Sequence, residues 1–207
     1  TVYAAEEVDN DAFIAMEYID GTELSEKIKE EPLDVIEAID IALGIAKGLR
    51  EAHLHKIIHR DIKSANVMLN KKGRVKIMDF GLAKVQGSNH MTKAGTTLGT
   101  VAYMSPEQSR GETVDLRSDI WSLGVVLYEL LAGKMPFRGD YEAAVMYAIL
   151  NEQPTPLETY RSDVPPDLNK IILRTLEKDP EHRYQNLSDM LDDLYQLQPN
   201  EKLNVTK

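Results

Sequence analysis

In the stretch His59-Arg60-Asp61-Ile62-Lys63-Ser64-Ala65-Asn66, an acid, a base and an amide stand close together just ahead of strand-like residues. A carboxylate on a loop can accept the proton of an attacking hydroxyl. A lysine two residues on can neutralise the oxygens of a transferred phosphoryl group, and an amide oxygen three further on can ligate Mg2+. Asp61, Lys63 and Asn66 stand in that order. Asp79, followed by Phe80 and Gly81, closes the segment that begins after Asn66, and a hairpin there would fold it back beside the loop as a second metal ligand. Taken singly, His-Arg-Asp reads as a surface charge cluster and Asp-Phe-Gly as a turn. Their shared order and spacing give the chemical reading its weight.

Several elements must position these groups. Residues 1–5 and 12–19 are apolar and β-prone around an acidic turn, a hairpin pattern that leads into Asp20-Gly21. From Asp34, a plausible cap, Val35, Ile39, Ala42, Ala46 and Leu49 recur at helical spacing, so a long amphipathic helix is expected to about His55. Val67-Met68-Leu69 and Arg74 to Met78 flank the turn Asn70-Lys71-Lys72-Gly73 as a second hairpin. The polar stretch from Leu82 to Met104 reads as a long loop. Ile120 to Leu131 is apolar on nearly every face and should be a buried central helix. Three further helices are expected at 141–151, 166–177 and 187–197, with a tail at 199–207. The class is α+β, mostly α-helical.

Composition narrows the function. The chain has 207 residues, 43% of them hydrophobic, which is enough for one sizeable core. Acidic residues number 34 against 24 basic ones, and a net charge of −10 argues against nucleic acid or an anionic membrane as a broad partner. There are no cysteines, which excludes disulfides and thiolate metal sites and fits a reducing, cytoplasmic setting. The longest apolar run, 120–131, falls short of a membrane span, although an anchor outside this segment is compatible with it.

The strings "HRDIKSANV", "DFGLAK", "GTVAYMSPEQ" and "DLRSDIWSLGVVLYELLAGKMPF", in this order, make the chain resemble the eukaryotic-like Ser/Thr protein kinases from Tyr3 to Leu197. "YMSPEQ" is similar to bacterial members. The resemblance implies a kinase C-terminal lobe at 20–198, with catalytic loop 59–66 and activation segment 79–107, preceded at 1–19 by a residual hairpin of the N-terminal lobe. It implies ATP and Mg2+ as cofactors and a protein with a Ser/Thr acceptor as substrate. Asp61 would be the catalytic base, Lys63 would stabilise the γ-phosphoryl, and Asn66 and Asp79 would hold Mg2+. Lys63 points to Ser/Thr over Tyr acceptors. Ser64 departs from the family's usual proline.

By the same resemblance the backbone of Glu17 and Ile19 would bond adenine, Met16 would be the gatekeeper and Met68 the apolar floor. Glu23 would reach the ribose or, equally, favour a helix start through its charge. Thr92, Thr96 and Thr97 are candidate phosphorylation sites whose phosphate would pair with Arg60 and Lys84. Thr100 is expected to bond the catalytic loop, Glu107 to pair with Arg183, Asp119 to brace the loop backbone, and His59 to pack on Phe80. Glu23 and Glu129 are acidic candidates for basic substrate residues.

The family's Gly-rich loop and β-strand lysine are not found. No Gly-x-Gly-x-x-Gly occurs, and Lys76 lies in the second hairpin. The sequence therefore reads as a kinase fragment with weak or no activity alone. The alternative is a noncatalytic C-lobe that binds a partner or nucleotide, with its exposed β-stub open to self-association.

Overall fold

The computed structural model describes residues 2–8, 11–80 and 98–198. β1 (Val2–Val8) and β2 (Asp11–Met16) form the N-terminal antiparallel hairpin, with Val2 opposite Met16 and Val8 opposite Asp11. β2 stops at Met16, and residues 17–20, expected to continue it to Ile19, are irregular. β3 (Gly21–Glu23) follows and leads directly into α1 (Leu24–Glu30), which starts from its N-cap Glu23 as one reading of that residue's charge expected, although no helical period marks its length.

α2 (Val35–Leu54) starts where the sequence predicts, because the Asp34 side chain accepts the Glu37 amide at 2.9 Å and relieves an unpaired N–H of the first turn. Its buried face carries Ile39, Ala42, Ala46 and Leu49. Next come β4 (Val67–Asn70) and β5 (Val75–Ile77), which join β3 in a sheet of order β3-β4-β5. α2 can lie close to this sheet because it presents glycines. A Cβ at Gly44 would sit 2.6 Å from a Val75 methyl, and one at Gly48 would sit 3.0 Å from the Ile77 Cδ1.

Beyond residue 97 come α3 (Leu98–Val101), α4 (Pro106–Arg110), α5 (Leu116–Ala132), α6 (Glu142–Asn151), α7 (Pro166–Thr175) and α8 (Leu187–Gln196). The expected loop from Leu82 to Met104 is thus corrected at its end. Leu98–Val101 is helical, and Val101, Ala102 and Tyr103 are buried, because these small and aromatic residues pack into the core. Thr92, Thr96, Thr97 and the 199–207 tail lie outside the described residues.

α5 is the hub. Every residue from Ser118 to Ala132 is buried, with α2 against one side and α7 against another. Gly124 permits the α7 contact, since a Cβ there would fall 1.9 Å from the Thr175 hydroxyl. Among the described residues no helix is long and apolar enough to cross a membrane.

A buried ion pair fastens α4 to the segment before α8. Both guanidinium nitrogens of Arg183 meet the Glu107 carboxylate at 2.8 Å, and Ser118 Oγ donates to the same carboxylate at 2.5 Å. Burial pushes the Glu107 carboxyl up, but the Arg183 bonds and charge and the Ser118 bond together outweigh it and hold it at about 2. Glu107→Gln should therefore cost about 3 kcal/mol in urea unfolding, because the buried Arg183 charge loses its counter-charge. Since the carboxyl is depressed from about 4.5, the gap between wild type and variant should be widest above pH 4.5 and close as pH falls towards 2. Gly124→Ala, which overpacks the α5–α7 contact, should lower stability by about 1–3 kcal/mol in the same assay.

Candidate active site

The placement of Asp61, Lys63 and Asn66 depends on how the 59–66 loop is held. Asp119, fully buried in the first turn of α5, accepts the His59 amide at 2.9 Å through Oδ2 and the Arg60 amide at 2.8 Å through Oδ1. The His53 ring, at the end of α2, bonds the same Oδ2 at 2.8 Å. This clasp holds Arg60 at φ 68°, a left-handed conformation that costs a non-glycine residue about 1–3 kcal/mol. Gln108 adds a bond from Nε2 to the Arg60 carbonyl at 2.8 Å.

His59 is buried, and its two ring nitrogens are both engaged. Nε2 bonds the Met78 carbonyl at 2.8 Å, which places the proton there, and Nδ1 accepts the Asp61 amide at 3.3 Å. The ring meets Phe80 edge-on with centroids 4.7 Å apart. With this bonding His59 serves as a strut under the Asp61 backbone.

Asp61, Lys63 and Asn66 converge. The Asp61 Oδ2 lies 3.1 Å from Lys63 Nζ and accepts Asn66 Nδ2 at 3.0 Å, while Nδ2 also donates to the Asp61 carbonyl at 2.8 Å. The short turn Ser64–Asn66 brings the amide back over the carboxylate. The Asp61 side chain remains 47% exposed, which leaves it open to an incoming hydroxyl. Lys63 Nζ also donates to Thr100 Oγ1 at 3.3 Å, so the loop is bonded to α3. Asp79 is exposed and left-handed at φ 55°, and its neighbour Met78 donates its amide to the Asn66 carbonyl at 2.8 Å.

Of the residues assigned to the nucleotide, Glu23 and Met68 stand opposite one another on β3 and β4, and Lys76 of β5 stands opposite Met68, so these three share one face of the sheet. Glu23 is also the N-cap of α1, where its carboxylate accepts the Ser25 hydroxyl and makes no bond to the helix amides. Met16 is 44% exposed, while Glu17 and Ile19 are half-buried. Arg60 Nε is buried with no hydrogen-bond partner among the described residues.

Glu129 does not offer the free carboxylate expected for a basic substrate. It is buried, and it accepts Tyr103 Oη at 2.7 Å and Ser64 Oγ at 3.4 Å. Burial raises its carboxyl, against the opposing effect of these two hydrogen bonds. His53, Gln108 and Tyr103 were missed in the sequence. Each acts through a contact at least 26 residues away, and local patterning carries no signal for such pairs.

A protein kinase domain family model matches residues 1–196. The chain is 44% identical over 185 residues to serine/threonine-protein kinase PknB of Mycolicibacterium smegmatis, covering 88% of this chain and 30% of that protein. It is 39% identical over 198 residues to PknB of Mycobacterium tuberculosis, covering 94% and 32%, and 40% identical over 189 residues to a probable serine/threonine-protein kinase of Clostridium acetobutylicum, covering 91% and 29%. The chain thus spans about a third of the length of these curated relatives. A family match over nearly every residue, together with a fold in which Phe80, Thr100, Gln108 and Asp119 all meet the 59–66 loop, shows that the chain belongs to the protein kinase family, among the bacterial eukaryotic-like Ser/Thr kinases.

Proposed function

We propose that this chain supplies the substrate- and metal-holding part of a Ser/Thr kinase site, which transfers the ATP γ-phosphoryl group to protein hydroxyls in the whole protein. The observation that carries this reading is the convergence of Asp61, Lys63 and Asn66 within 3.1 Å on a half-open loop. Asp61 accepts the proton of the acceptor hydroxyl as its oxygen attacks phosphorus. Lys63, held between Asp61 and Thr100, neutralises charge on the moving phosphoryl oxygens. Asp119 and His59 act through the backbone by fixing where the Asp61 carboxylate points.

The residues present suit a magnesium ion. Asn66 commits its amide nitrogen to Asp61, so its Oδ1 is the atom left for a hard cation, and the Asp79 carboxylate is the second oxygen donor. Mg2+ keeps several waters and takes substrate phosphate oxygens, so two protein ligands suffice. Among the described residues no three His, Asp or Glu side chains converge as a cage. When bound, the ion would neutralise phosphate charge. The cross-strand row of Glu23, Met68 and Lys76 supports adenosine binding beside residues 16–19, with Met68 under the base. The orphaned Arg60 Nε supports an anion partner such as a phosphorylated threonine of the activation segment.

A noncatalytic, nucleotide- or partner-binding role is favoured by one observation. None of the 207 residues provides a Gly-rich loop or its paired strand lysine, so the donors that cover the phosphates must come from elsewhere. Assay of the full-length protein separates the two readings. Mg2+-dependent phosphorylation of a generic Ser/Thr protein should fall about 10²–10⁴-fold in Asp61→Asn, with the KM for ATP little changed. Transfer that survives Asp61→Asn would remove Asp61 as the base. The 207-residue chain alone should bind ATP weakly and only with Mg2+, measured by calorimetry, because water reaches the phosphates. Full activity of that chain would show that the missing donors are dispensable.

A further inference from the structure

Residues 17–20 connect the β1–β2 hairpin to the rest of the molecule and have no regular secondary structure. Two lysines of the β4–β5 hairpin reach them. Lys76 Nζ donates to Glu17 Oε1 at 3.1 Å, and Lys71, in the hairpin turn, pairs with the Asp20 carboxylate at 2.6 Å while its amide donates to the Asp20 carbonyl at 3.2 Å. The lysines therefore grip both ends of the connector.

The hairpin that carries these lysines is a firm support. Its turn is closed by Asn70, whose Oδ1 accepts the Lys72 and Arg74 amides, both at 2.9 Å. Its outer strand rests on Gly44 and Gly48 of α2. Lys76 stands directly opposite Met68, so the residue that grips Glu17 and the residue under the base lie on one face of one strand pair. The Lys76 and Glu17 side chains are 44% and 30% exposed, so the pair is only partly shielded and its strength depends on salt. Such a weak pair gains leverage here, because the connector it holds has no ladder of its own.

Building on the nucleotide reading above, we propose that Lys76 is a positioning residue for adenine. By holding Glu17 against the β4–β5 hairpin, with Lys71 and Asp20 as the second grip, it fixes the connector backbone at the distance from Met68 that the base requires. The chemistry assigned to Lys76 is therefore electrostatic and acts through residues 17–20. It touches neither phosphate nor the acceptor hydroxyl.

Two measurements on the full-length protein test this. In amide hydrogen exchange without nucleotide, Lys76→Met, which keeps the apolar stem and removes the charge, should speed exchange across residues 17–20. The charge-swapped pair Glu17→Lys with Lys76→Glu should restore it. In titration with adenosine, which has no phosphate and needs no metal, Lys76→Met should weaken binding about threefold to tenfold, and the swapped pair should recover most of the loss. The wild-type affinity should fall as sodium chloride is raised, and that of Lys76→Met should not. Unchanged exchange in Lys76→Met would overturn the grip, as would failure of the swapped pair to restore exchange in a variant of unaltered melting temperature. If exchange responds as stated but the wild-type protein binds no adenosine, the grip stands and the adenine assignment is overturned.

Discussion

The 59–66 loop depends on one buried carboxylate. Asp119 is fully enclosed, yet it is surrounded by donors: the His59 amide, the Arg60 amide and the His53 ring. A bare carboxylate in that position would cost several kcal/mol, which its hydrogen bonds and the positive end of α5 offset. The arrangement has a consequence for the backbone. Two successive amides point at one side chain, which requires the left-handed turn seen at Arg60, and that turn directs Asp61 away from the core towards solvent. The most buried helix of the molecule thus sets the orientation of the exposed Asp61 carboxylate.

Beside the buried Val101 and Ala102, a row of polar contacts joins the segment from Thr100 to Arg110 to the rest of the fold. Thr100 takes Lys63, Tyr103 links Ser64 with Glu129, Glu107 meets Arg183, and Gln108 meets the Arg60 carbonyl. An apolar interface would tolerate sliding, because dispersion contacts are non-directional. Here a shift of one residue would leave buried charges and hydroxyls without partners, at about 1–3 kcal/mol or more each. Directional bonds therefore keep this segment in one register against the catalytic loop. Ser64 takes part in that network through a hydroxyl that the family's usual proline would lack.

Much of this was legible in the sequence, and the unread parts have a common cause. α2, the β4–β5 hairpin and α5 to α8 follow from periodicity and capping, as with Asp34 at the start of α2. Loop order and the position of Asp79 after the hairpin were likewise local facts. α1 showed only its start, as one reading of Glu23, and α4 was not marked, because seven and five residues are too few to show a helical period. Glu129 was misjudged for a different reason. A charged residue late in an apolar helix looks like an exposed exception, and only the folded chain shows Tyr103 and Ser64 closing over it. His53 and Lys76 belong to the same class, since their partners lie 66 and 59 residues away.

The β4–β5 hairpin explains how Asn66 and Asp79, the two residues proposed above as metal ligands, come to be neighbours. Asn66 stands just before β4 and Asp79 just after β5, and the register pairs Val67 with Ile77 at the open end. Antiparallel pairing therefore delivers both ligands to the same end, and the Met78 amide bonded to the Asn66 carbonyl fixes the spacing of their backbones. Because side chains alternate along a strand, a slip of β5 by one residue would turn Lys76 to the face opposite Met68 and displace Asp79 relative to Asn66. The close approach of Gly44 and Gly48 to Val75 and Ile77 resists that slip, since the residue on either side of each valine or isoleucine in β5 would present a different shape to α2. Helix packing thus fixes strand register, and strand register holds Asn66, Asp79 and Met68 in one frame.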